Sequence, residues 1–94
     1  MRAEAVRRYV LTAHAISQAE RRHVDLSTIR AVLAAPEQRL TVRRGRVVLQ
    51  SRLRSASTAR VHLLRIVVDV DRSPAEVVTV YRTGNILKYW ESNR

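Results

Sequence analysis

Three groups of side chains in this sequence have the types and spacing to do chemistry. The first is His14, with Gln18, Arg21 and Arg22 one or two helical turns further along the chain. An imidazole beside guanidinium groups can act as a general base next to a phosphate clamp. The same pattern also describes a surface histidine that only packs or hydrogen-bonds. The second is an acid-free run from Arg39 to Val68 that carries Arg39, Arg43, Arg44, Arg46, Arg52, Arg54, Arg60 and Arg65. Guanidinium groups grip phosphate in a bidentate way, so an open sheet face studded with them would track a nucleic-acid backbone. The third lies near the C-terminus: Tyr81 and Arg82, then Lys88, Tyr89 and Trp90. It offers a cation and aromatic faces on which bases can stack. Tyr81 shares strand parity with Val77, which predicts a core position, and Trp90 reads as an aromatic plug. Arg82 is the first polar residue leaving the strand.

Composition narrows the chemistry further. The chain has 94 residues, 18 Lys and Arg against 8 Asp and Glu, and a formal net charge of +10. Every basic residue but Lys88 is Arg. A domain so charged repels itself and attracts polyanions, which points to nucleic acid or to an acidic protein. With Cys 0 there is no disulfide, no thiolate zinc site and no cysteine nucleophile. His14, His23 and His62 are too dispersed to predict a zinc site, and no Gly-rich phosphate loop or Ser-His-Asp set is present. The expectation is therefore no cofactor and no metal. No apolar stretch is long enough for a membrane span or a secretory signal, so the expected location is the cytoplasm, away from membranes. RNA cleavage fits these limits, because the substrate's own 2′-hydroxyl is the nucleophile. The protein then needs a base, an acid and positive charge for the developing dianionic phosphorane.

The elements that must position these groups follow from periodicity. Val6, Tyr9, Val10, Ala13 and Ile16 recur at helical spacing. One reading is a helix from about Ala3 to Arg22. The other starts the helix at Thr12, a good cap, and leaves the first residues as a separate arm. A second helix is predicted over about Leu26 to Ala35, with Asp25 as its cap and Val24 and Ile29 as a hydrophobic staple. It ends before Pro36. Beyond it the period becomes two. Leu40 and Val42 lead to an Arg44-Gly45 turn. From Arg46 onward, Val47, Leu49 and Leu53 face one way and Arg46, Gln50, Arg52 and Arg54 the other. Val61 to Val70 reads as a central strand covered on both faces and Val77 to Tyr81 as a buried strand, with a short element over Ile86 to Trp90. The expected architecture is α+β: two N-terminal helices on one face of an antiparallel sheet of about four strands, forming one domain over residues 1–94.

The segments "HAISQAERRHVDLSTIRAVLAAPEQ", "GRVVLQSR" and "HLLRIVVDVDRSPAEVVTVYRTGNILKYW" resemble a small bacterial family of unknown function grouped with the BrnT, RelE and ParE type toxins of toxin–antitoxin systems. The likeness covers about Thr12 to Trp90 and leaves out the first eleven residues. It implies a RelE/BrnT-like toxin fold, and it points to His14, Arg22, Tyr81 and Lys88 as the positions matching the family's pattern. Gln18 departs from it, since the family usually carries a basic residue there. The activity implied is a metal-independent ribonuclease acting on RNA, free or ribosome-bound, and the arginine charge read above, at Arg43, Arg44, Arg46, Arg52, Arg54, Arg60 and Arg82, is expected to hold that RNA. The partner implied is an acidic antitoxin protein. A non-catalytic nucleic-acid-binding protein or a ParE-like gyrase inhibitor is the alternative.

Overall fold

In the computed structural model, residues 3–92 are described. The elements follow in the order β1 (Tyr9–Leu11), α1 (Ala13–Arg21), α2 (Leu26–Ala34), β2 (Gln38–Arg43), β3 (Arg46–Arg54), β4 (Val61–Asp69), β5 (Ala75–Thr83) and α3 (Ile86–Tyr89). Thr12 decides between the two readings of the N-terminus. Its hydroxyl accepts the Ala15 N–H at 3.1 Å, which caps α1 and leaves the preceding residues extended. Those residues form β1, which pairs in parallel with Ala75–Val77 of β5. The sheet therefore has five strands in the order β1-β5-β4-β3-β2 and is mixed, not a purely antiparallel sheet of four. A three-residue strand is too short to show an alternation in sequence.

The turn between α1 and α2 is tight. The Val24 N–H reaches back to the Ala19 carbonyl at 2.9 Å, the six-to-one bond of a Schellman motif. This places His23 in the left-handed region, with φ 56. Asp25 sits at the α2 cap position but makes no side-chain capping bond. At the β2–β3 turn, Gly45 has φ 84 and its missing Cβ leaves room for Asp71.

The two sheet faces differ. One carries Val47, Leu49, Leu64, Ile66, Val68, Val77 and Val80, buried against Ala15, Ala19, Ile29, Val32 and Leu33 of the two long helices. β4 is central and covered on both faces, as its nearly continuous apolar run predicts. The opposite face holds buried Val48, Gln50 and Leu63. Its cover comes from the C-terminal segment, which is anchored by two glutamine amides. Gln50 Nε2 donates to the Tyr89 carbonyl at 3.1 Å, and Gln38 Nε2 donates to the Glu91 carbonyl at 2.6 Å.

A bulge in β5 sets which residues reach which face. Val68 pairs with Val77 and Val67 with Thr79, so Val78 is an extra residue without a partner on β4. Parity shifts by one. Val80 then joins Val77 among the helix-facing residues, and Tyr81 goes to the opposite face. The parity argument that put Tyr81 beside Val77 in the core fails for this reason.

Candidate nucleic-acid interface

Arg65 is the centre of the sheet face turned away from the two long helices. It stands in the middle of β4, opposite Gln50 of β3 and Tyr81 of β5. Three side chains fix its guanidinium. Nε donates to Gln50 Oε1 at 2.9 Å, and Nη1 donates to the Tyr81 hydroxyl. The Tyr89 ring lies 4.2 Å from Cζ and the Tyr81 ring 5.5 Å. The two rings meet edge to face with centroids 6.3 Å apart. Gln50 is fully buried and makes a further bond from Nε2 to Gln38 Oε1 at 2.7 Å. A buried amide with its partners satisfied is rigid, so Arg65 is held before any ligand arrives.

A second arginine–aromatic stack stands beside the first. The Arg52 guanidinium lies 4.1 Å from the Trp90 ring centroid. Arg52 also bonds both Glu37 carboxylate oxygens, at 3.1 Å each. Lys88 is exposed, with Nζ 5.2 Å from the Tyr89 ring centroid. The face thus carries planar cations on aromatic rings, a surface that suits a sugar-phosphate backbone with unstacked bases.

Charges along the rest of the sheet are unequal. Arg46 bonds both carboxylate oxygens of Asp69, at 2.6 and 3.0 Å, and Arg72 approaches the same carboxylate at 3.8 Å. The Arg46 hydrogen bond, against the opposing cost of burial, holds the Asp69 carboxyl below the usual carboxylate range. Arg46 and Arg52 are therefore largely neutralised in place. Among the described residues, no ion pair engages Arg65, Arg54, Arg60, Arg43 or Arg44. Arg54 donates to the Ala59 carbonyl at 2.9 Å and closes the β3–β4 loop, in which Arg60 is exposed. Arg43 and Arg44 are exposed at the opposite end of the hairpin.

The expected catalytic set is divided by the sheet. Tyr81 and Lys88 lie on or beside the Arg65 face. His14 is exposed on α1, whose inward residues are Ala15, Gln18 and Ala19, in the helical layer. Arg22 is in that layer too and donates to the Val80 carbonyl at 3.4 Å. Arg82 pairs with Leu64 and shares its helix-side face. Gln18 is structural. Its Oε1 accepts the Val80 N–H at 3.0 Å, so Gln18 and Arg22 together satisfy the edge of β5 beyond the reach of β1. Sequence reasoning named Arg65 in the arginine run and Tyr89 in the C-terminal aromatic group but did not bring them to one site, and it passed over Gln50. The available signal was Arg65 itself, a cation in the middle of an otherwise apolar central strand.

Among the described residues, no group of three or more His, Cys, Asp or Glu side chains converges to hold a metal ion. No helix there is long and apolar enough to cross a membrane. No curated protein and no solved structure matches the chain significantly. One family does match, over residues 11–82, a span that takes in both long helices and the strands β2 to β5 but stops short of Lys88, Tyr89 and Trp90. The chain accordingly belongs to the family described as a domain of unknown function, DUF4258.

Proposed function

We propose that the face turned away from the two long helices binds RNA and that the protein is a metal-independent endoribonuclease of the toxin type, centred on Arg65. The observation that carries this reading is the Arg65 guanidinium, fixed by Gln50, Tyr81 and Tyr89 without a carboxylate to neutralise it. In this reaction the RNA 2′-oxygen attacks the adjacent phosphorus and the 5′-oxygen leaves, giving a 2′,3′-cyclic phosphate and a 5′-hydroxyl. Arg65 would neutralise the charge that grows on the non-bridging oxygens. The Tyr81 and Tyr89 hydroxyls and the Lys88 ammonium are the groups near it that can exchange protons. An acidic antitoxin would cover the same cationic face.

The test is end-labelled RNA incubated in EDTA, with and without ribosomes. Wild type and His14→Ala are expected to cut and to leave cyclic phosphate ends. Arg65→Ala should cut about a hundredfold more slowly, the loss typical of removing one transition-state donor. Intact RNA in every lane would refute the enzyme.

A second reading rests on a different observation. All three histidines lie away from Arg65: His14 on α1, His23 in the α1–α2 turn, and His62 opposite Leu53 on the helix-facing side. A face without an imidazole suits a protein that binds nucleic acid, or a gyrase-type target, without cutting. Under this reading Arg65→Ala weakens RNA binding and no variant cleaves.

A further inference from the structure

A second basic site lies on the other side of the sheet. The α1–α2 turn and the β3–β4 hairpin enclose a cleft of about 390 Å³, lined among others by His23, Asp25, Arg54, His62 and Arg82. Its chemistry is unlike that of the Arg65 face. It has no tyrosine or tryptophan in its wall, and it contains two of the chain's three histidines.

Two features single this cleft out. His23 occupies the left-handed position that ends α1, where glycine is the usual residue, so a side chain stands there against the local backbone preference. His62 is half-buried on the sheet. Burial first, and then the Arg82 charge, hold its imidazole below the ordinary histidine range. The cleft therefore gathers two guanidinium groups, two imidazoles and one acidic side chain, Asp25.

We propose that this cleft is a phosphate-monoester site, held by His23, His62 and Arg82 and separate from the Arg65 face. A dianionic terminal phosphate matches it better than a bridging diester, because its second charge can be balanced by protonating an imidazole. An anion in the cleft favours the protonated imidazole of His62, which burial and Arg82 otherwise disfavour. Arg54 adds positive charge at the rim, and Asp25 is the acidic side chain in the lining. The ligand is either free phosphate or the 5′-phosphate end of an RNA.

Histidine proton NMR on the full chain tests this directly, with His14 as the internal reference. Inorganic phosphate should move the His23 and His62 resonances and leave His14 in place. Sodium chloride at matched ionic strength should move none. Arg82→Gln should abolish the phosphate response while keeping the dispersed spectrum of a folded chain. Arg65→Ala should retain the response, which keeps this site distinguishable from the RNA face. A 5′-phosphorylated RNA that binds roughly tenfold tighter than its 5′-hydroxyl twin, a difference of about 1.4 kcal/mol, identifies the RNA end as the source. Equal affinity identifies free phosphate. Equal movement of all three histidines, or no movement of His23 and His62, would overturn the proposal.

Discussion

Arg65 shows how a single side chain can be charged, half-buried and still soluble in its surroundings. A guanidinium inside a sheet is costly unless its N–H groups and its flat faces are both occupied. Gln50 and Tyr81 take the N–H groups, and Tyr89 takes a face. Gln50 is the keystone because its one amide also holds Gln38 and the Tyr89 carbonyl. Gln50→Leu should therefore cost about 1–3 kcal/mol, the desolvation penalty of the groups left behind, read as a lower midpoint in urea. It should also loosen the C-terminal segment, seen as faster amide exchange at Glu91, whose N–H donates to Gln38 Oε1. Little of this arrangement was legible in the sequence. The alternation in β3 correctly sets Gln50 opposite to Val47 and Leu49, but alternation assigns a direction and not a cover. The cover comes from residues far along the chain.

The helices and strands were more readable than the contacts between them. Pro36 ends α2 where backbone sterics require it, and the nearly continuous apolar run of β4 marks the centre of the sheet. β1 escaped because its three residues mimic a helical stripe together with those that follow. Gln18 escaped for another reason. At helical spacing from His14 it looks like part of a polar face, whereas it lies buried against the edge of β5. A helix side chain standing in for a missing strand is invisible to any local pattern. Gln18→Leu should leave the Val80 N–H without its partner and destabilise the fold by about 1–3 kcal/mol, measured by thermal or chemical unfolding. RNA binding at the Arg65 face should persist in the folded fraction. Gln18→Glu keeps the acceptor and should cost less.

Over the whole molecule, a formal charge of +10 does not spread evenly. Some of the acids are placed on arginines: Asp69 between Arg46 and Arg72, and Glu37 on Arg52. Composition predicted a polyanion partner but could not show which cations were already engaged, because the pairing is set by register. The Asp69 cluster also has a consequence for acid stability. Its carboxyl is held below the ordinary value by Arg46, so the folded state binds fewer protons than the unfolded one. That stability is complete above the unfolded value of about 4 and fades as pH falls through the lower folded value. Wild type should lose melting temperature across this window more steeply than Asp69→Asn, which should be less stable at pH 6 and flatter below it. The bulge at Val78 acts on the sequence record itself. It divides β5 into two reading phases, with Ala75 and Val77 in one and Val80 in the next. Substitution scanning along this strand should show intolerance that skips a beat at position 78. Loss of that one residue would let Val77 run straight into Thr79 in regular alternation, with every later side chain keeping its face, so at this position the strand can shorten without turning its core residues outward.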